Sequence, residues 1–197
     1  MNIVYIHGLD SDSNSTKGKL LEDYCQKYHP AIKVHRPDLN QSPEQVFNDL
    51  TNLVVKLSKD AKTALVGSSL GGYFSTLVSN QTGCPILLLN PSTQPHITLQ
   101  RFASEADNQK ILYTTSGGWE IVDADLQWFA AHKISPVEYP DKVAALIKEE
   151  DELLDSDVSA NFYRQHGAQV IMQKGGDHRF TDFAEHLPQV IAILQNL

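Results

Sequence analysis

Cysteine is scarce: Cys25 and Cys84 are the only two in 197 residues. Without a secretion signal they argue against a disulfide framework and are expected to pack as small apolar groups. Positive charge is scarce as well. Sixteen Lys and Arg against 24 Asp and Glu leave a net charge of −8, which argues against binding a phosphate backbone, because nucleic-acid partners need clustered cations. Neighbouring basic residues such as Lys17 and Lys19 read as a solvated helix face. No apolar run approaches the roughly 20 residues that cross a bilayer, so no membrane span is expected. Met1 leads straight into Asn2-Ile3-Val4-Tyr5-Ile6. With no basic n-region or cleavage site there, no signal peptide is expected, and the default compartment is cytoplasmic. Internal repeats, low-complexity tracts and linkers are also missing, so residues 1–197 are expected to form a single domain.

What the chain does contain is a regular alternation of strand-like and helix-like segments, in a composition (41% apolar, 20% charged) ordinary for a soluble globular protein. Residues 2–6 form a short β-branched and aromatic run ended by His7-Gly8. Residues 32–35 and 62–66 read as further strands. The continuous apolar run 85–89, stopped by Asn90-Pro91, reads as a strand buried on both faces. Residues 16–28, 43–58 and 70–80 read as helices, with Ser13 or Ser15 as N-caps of the first. In the second, Val46, Leu50, Leu53, Val54 and Leu57 share one face, and Pro43 suits the first turn. The rhythm loosens between 93 and 140, where Trp119, Val122, Leu126 and Phe129 mark one helical face. It then resumes with strands at 142–148 and 168–173 and helices at 157–166 and 182–195. Such alternation implies βαβ units. The expected fold is α/β: a doubly wound, mainly parallel sheet with helices on both faces and a short helical insertion at about 93–135.

Gly67-Ser68-Ser69-Leu70-Gly71 falls where one strand should end and the next helix begin. This is G-x-S-x-G in the setting of a nucleophile elbow, a strained turn that exposes the serine hydroxyl. Strand and helix crowd the turn, so a Cβ at 67 or 71 should clash, and Gly has none. The pattern alone also fits a plain turn with an N-capping serine. Its partners give it weight. Ligands of such sheets bind beyond the carboxyl ends of the strands. The segments placed there are His7-Gly8-Leu9-Asp10, the elbow, Glu149-Glu150-Asp151 and Gly175-Gly176-Asp177-His178.

A serine hydroxyl needs a base near neutral pH, and an imidazole base needs a carboxylate to orient it. Ser69 is the expected nucleophile. His178, after the last strand and a flexible glycine pair, is the expected base. His29, His35, His132, His166 and His186 read as surface residues, and His96 as a remote substrate contact. Asp151 directly follows a strand and is the expected acid, with Glu150, Glu152 and Asp155 as rivals. Asp177 lies too close to His178 in sequence to orient it. The backbone N–H groups of Leu9 and Leu70 are the expected oxyanion donors. Gly8, Gly67 and Gly71 support the turn, and His7 reads as a loop-bonding structural residue, with a role as base as its alternative.

Taken together, Ile6-His7-Gly8-Leu9, Gly67-Ser68-Ser69-Leu70-Gly71-Gly72-Tyr73, Asn90-Pro91-Ser92, Asp151-Glu152-Leu153-Leu154-Asp155 and Gly175-Gly176-Asp177-His178-Arg179-Phe180 resemble the YqiA-type esterases. These are compact bacterial α/β-hydrolases of about this length. The resemblance implies a hydrolase of carboxylic esters or acyl thioesters, with Ser69, Asp151 and His178 matching the family's triad. Its partner would be a small acyl-ester or acyl-thioester substrate, and no metal or organic cofactor is required. Two departures stand out: Glu150 where a glycine is expected before the acid, and a poor match over 93–135. The alternative is a non-hydrolytic ligand-binding protein on the same fold, which has no need of a Ser–His pair. Other chemistry, such as carbon–carbon bond hydrolysis, is a third use of the fold.

Overall fold

The computed structural model describes residues 1–105 and 110–197. The chain begins with β1 (Asn2–Ile6), α1 (Thr16–Tyr28), β2 (Lys33–His35) and α2 (Pro43–Ser58). It continues through β3 (Thr63–Ser68), α3 (Leu70–Thr82) and β4 (Ile86–Leu89). Between β4 and the next strand of the main sheet lie α4 (Pro95–Thr98), α5 (Gln100–Glu105), β5 (Tyr113–Thr114), β6 (Glu120–Ile121) and α6 (Asp123–Ala131). The chain closes with β7 (Val143–Lys148), α7 (Ser156–Gln165), β8 (Gln169–Gln173) and α8 (Phe183–Asn196). The main-sheet strands and the helices α1, α2, α3, α7 and α8 lie within about two residues of the segments expected from the sequence.

Six strands form one sheet in the order β2-β1-β3-β4-β7-β8, and every pairing in it is parallel. Helices cover both faces, which is why the central strands are apolar at nearly every position. Alternate strand residues serve opposite layers. Val4, Ile6, Leu65, Leu88 and Ala145 pack with α2, α3 and α7. Ile3, Tyr5, Val66, Leu87 and Leu146 pack with α1 and α8. The chain leaves β1 for α1 on one face and leaves β3 for α3 on the other. The carboxyl ends of β1 and β3, which are hydrogen-bonded neighbours, therefore open into the crevice where a doubly wound sheet binds its ligands. Among the described residues, no helix is long and apolar enough to cross a membrane.

The insertion differs from the expected short helical one. It contains an antiparallel hairpin, β5 against β6. Trp119 lies ahead of β6 rather than on the helix face with Leu126 and Phe129. The helix starts only at Asp123, because the Asp125 carboxylate accepts the Val122 N–H at 3.1 Å and the Trp119 indole N–H at 3.2 Å. Periodicity ran through the boundary because Trp119, Ile121, Leu126 and Phe129 all enter the same core.

Two glycines let α3 sit against the sheet. A Cβ on Gly71 would lie 2.2 Å from the Ile6 carbonyl oxygen, and one on Gly67 would lie 2.5 Å from the Gly71 carbonyl oxygen. Both contacts are with backbone, which cannot step aside. Gly71→Ala is therefore expected to cost about 3 kcal/mol or more, read from the urea midpoint at constant m.

Candidate active site

Ser69 occupies the turn between β3 and α3 with φ +54° and ψ −120°, a left-handed conformation that non-glycine residues avoid. The turn is held by backbone bonds. The Ser69 N–H donates to the Leu89 carbonyl at 3.0 Å, and the Ser69 carbonyl accepts the Ser92 N–H at 3.0 Å and the Gly72 N–H at 2.8 Å. β4 and the segment after it thus brace the elbow from behind, and the hydroxyl faces the crevice.

Ser69, Asp151 and His178 meet. His178 Nε2 lies 2.9 Å from Ser69 Oγ, and His178 Nδ1 lies 2.9 and 2.8 Å from the two Asp151 oxygens. The Asp151 carboxylate is 2 % exposed. Its Oδ1 also accepts the Leu153 and Leu154 N–H groups at 2.9 and 2.8 Å, which fixes its orientation. With an acceptor against Nδ1, the imidazole is set as the Nδ1–H tautomer, which turns the Nε2 lone pair toward Ser69 Oγ.

The rival acids are occupied elsewhere. Asp155 caps α7 through the Asp157 and Val158 N–H groups. Glu152 accepts the His178 backbone N–H at 2.8 Å, so it holds the main chain of the histidine, not its ring. Glu150 is exposed. Asp177 accepts from the Thr181 N–H and hydroxyl, bonds that keep its carboxyl below the usual range against the opposing pull of burial.

The loop after β1 lies directly over Ser69: a Cβ on Gly8 would be 3.1 Å from Ser69 Cβ. Among the described residues, neither the Leu9 nor the Leu70 N–H donates to a protein acceptor. His7 does not reach the serine. Its Nε2 accepts the Leu39 N–H at 3.0 Å, so the proton sits on Nδ1, which donates to the Gly8 carbonyl at 2.9 Å. This pairing ties the β1 loop to the segment after β2. Burial holds the His7 pKa below its ordinary value, the Gly8 carbonyl and Asp38 pulling the other way.

Two residues have roles that the sequence did not assign. Asn90, at the end of β4 with φ +42°, is 2 % exposed. Its amide donates to the Asp177 and His178 carbonyls at 3.0 and 3.2 Å, and its Oδ1 accepts the Lys148 N–H at 2.8 Å. One side chain thus clamps the histidine loop to the end of β7, just ahead of Asp151. The visible signal was a polar residue closing an apolar strand. The second is His186, taken as a surface residue. It is half-buried, its Nε2 3.0 Å from both Lys148 Nζ and Asp182 Oδ2. Lys148, buried at the end of β7, reaches the same Asp182 oxygen at 2.5 Å. Together they anchor the start of α8, immediately beyond the histidine loop.

A cleft of about 630 Å³ opens over Ser69 and His178, lined by the β1 loop, the first turn of α1, Leu153 and Leu154, and the histidine loop. A smaller apolar recess lies beside Leu9 and Leu70, walled by Leu39, Phe74 and Trp119. Trp128 and Phe129 pack into the core instead, and His96, on α4, does not line the cleft.

A family model described as "Uncharacterised protein family (UPF0227)" matches residues 2–195. The chain belongs to the UPF0227 family. A UPF0227 protein of Yersinia enterocolitica is 25% identical over 198 residues, spanning 96% of this chain and 97% of its own length. Among solved structures, the UPF0227 chain is similar to alpha/beta hydrolase domain-containing protein 10 from mouse, with TM-score 0.75 and 18% identity over 98% of this chain and 89% of that one. It is also similar to Est1E from Butyrivibrio proteoclasticus in its ferulic acid complex, with TM-score 0.73 and 15% identity over 98% and 86%. At these identities the likeness shows the fold, that of the α/β-hydrolases.

Two outcomes are expected for this UPF0227 chain. Asn90→Gly tolerates the left-handed backbone but removes the clamp. Hydrogen exchange over residues 175–181 should then accelerate about tenfold, with the sheet unchanged. His7 is held neutral in the fold, so its contribution to stability is complete above about pH 6.5 and is lost as the pH falls below it. The drop in Tm between about pH 7.5 and 5.5 should be smaller in His7→Gln than in the wild type.

Proposed function

We propose that the chain is a serine hydrolase cleaving carboxylic esters or acyl thioesters through an acyl-enzyme, with Ser69 as nucleophile, His178 as base and acid, and Asp151 as its orienting carboxylate. The observation that carries this reading is the continuous chain of short contacts, Ser69 Oγ to His178 Nε2 at 2.9 Å and His178 Nδ1 to Asp151 at 2.8 Å, on a left-handed elbow. A binding protein has no need of a serine held in such a conformation. The Est1E complex with ferulic acid, a small carboxylic acid, is a similar fold with a ligand of product type; that likeness supports the class of substrate, not its identity.

In the proposed cycle, Ser69 Oγ bonds to the acyl carbon as its proton passes to His178 Nε2. The carbonyl oxygen takes up negative charge against the Leu9 and Leu70 N–H groups, each such donor contributing about 3 kcal/mol to the transition state. The carbon–oxygen or carbon–sulfur bond then breaks, and His178 returns the proton to the leaving group. Water, deprotonated by the same nitrogen, attacks the acyl-enzyme. The acid departs and Ser69 regains its proton.

A fluorophosphonate probe is expected to label Ser69, located by peptide mass spectrometry. Labelling elsewhere in folded protein, or none, overturns the assignment. Against a short aryl ester, Ser69→Ala should lose at least about 10³-fold in kcat and Asp151→Asn about 10⁴-fold, since the amide favours the wrong tautomer. Leu9→Ala keeps its backbone donor and should stay within about threefold of wild type.

A further inference from the structure

The mechanism dictates where the leaving group lies. The atom that leaves must come within hydrogen-bond reach of His178 Nε2, which delivers its proton. Of the two spaces that meet at Leu9 and Leu70, the 630 Å³ cleft includes His178 in its lining, whereas the apolar recess does not. The leaving group therefore occupies the cleft on the histidine side.

That side carries two cations in a chain whose net charge is −8. Lys17, in the first turn of α1, and Arg179, the residue after His178, both line it. Lys17 Nζ donates to the Arg179 carbonyl at 2.5 Å, which brings the ammonium beside the histidine loop. Among the described residues, no carboxylate comes within ion-pair distance of either side chain. Nearby carboxylates are committed to closing their own loops. Asp10 accepts from the Tyr113 hydroxyl and the Ser116 N–H, Asp12 from the Asn14 N–H, and Asp177 from Thr181. Lys17 is half-buried, and burial draws its pKa from 10.5 down to about 8, so it still carries charge at neutral pH. The ammonium's one hydrogen-bond partner among the described residues is the Arg179 carbonyl; Asp177 attracts it from beyond ion-pair distance while Arg179 repels it, an arrangement that a bound anion improves.

We propose that Lys17 and Arg179 form a leaving-group subsite for an anion, so that the preferred substrate is an ester or thioester whose alcohol or thiol carries a phosphate or carboxylate. This rests on the acyl-transfer reading above, but it is separately testable. The two cations flank the departing group without touching the reacting atoms, so they select by charge and leave the chemistry to Ser69 and His178. In a chain of net charge −8 that selection is local to the cleft.

The test uses three aryl acetates that differ only in the para substituent: carboxamide, carboxylate and phosphate monoester. In wild type, the ratio of kcat/KM for either anionic ester to that for the neutral one should fall as ionic strength rises. In Lys17→Met that ratio should drop about fivefold or more, as expected for the loss of one partly sheltered ion pair. Lys17→Arg should restore it, and Arg179→Ala should lower it in the same direction. A loss confined to the phosphate ester assigns the subsite to phosphate, and a loss for both assigns it to anions generally. A ratio unmoved by Lys17→Met overturns the proposal, whether or not overall activity changes. Binding is read independently on Ser69→Ala by calorimetry with phenyl phosphate and benzoate against phenol. Anion binding that depends on Lys17, without turnover of any ester, leaves the subsite standing and removes the hydrolase reading. Turnover with neither charge selectivity nor anion binding does the reverse.

Discussion

The left-handed backbone at Ser69 is the constraint around which the site is arranged. A serine at φ +54° stays there only if its neighbours leave no better option. The Leu89 and Ser92 bonds grip its peptide groups from the β4 side, while α3 and β1 close on the other side with no room for a Cβ at Gly67 or Gly71. The elbow is thus a product of sheet packing, and its geometry is inherited from β1, β3 and β4 together.

Strain of this kind is concentrated at one end of the molecule. The non-glycine residues with positive φ among those described are Asp10, Ser69, Asn90 and Phe180. Each lies in a loop that follows a strand of the main sheet, and together these loops surround the crevice. None could hold such a backbone alone. Asp10 is tied to the β5–β6 hairpin through Tyr113 and Ser116, and Asn90 to β7 and the histidine loop. Phe180 lies under the Lys148 ammonium, 4.5 Å from its ring centroid. The loops support one another, so the orientation of His178 depends on residues from four separate strand ends.

The two charged clusters beyond β7 divide their work by burial. Asp151 is buried against the histidine ring and receives two backbone N–H groups. Behind it, Lys148 and His186 hold the Asp182 carboxyl below its usual range although burial opposes ionisation. The first cluster faces the crevice. The second pins the helix that follows the histidine loop, and it confines that loop without entering the cleft. Lys17 and Arg179 belong to neither cluster, which is why their charge remains directed at the open space.

Much of this protein was legible in the linear chain. Short apolar runs located the main-sheet strands and period-3.6 hydrophobicity the helices around them, because burial on both sheet faces and on one helix face leaves a local imprint on residue choice. The residues Gly67-Ser68-Ser69-Leu70-Gly71 announced the elbow, since only glycine fits where backbones touch. Asp151 stood out by following a strand, and His178 by following a glycine pair. Tertiary structure alone decided the rest. Position favours Asp151 over Glu152, but what each does is decided in the fold, where one carboxylate meets the His178 ring and the other its main chain. Asn90 and His186 gained their partners from segments 58 to 88 and 4 to 38 positions away, respectively. Trp119 left the helix because Asp125 captured the N–H groups at the boundary. Pattern records what each element buries, whereas side-chain partnership depends on which loops the sheet order brings together, and no short stretch of sequence contains that order.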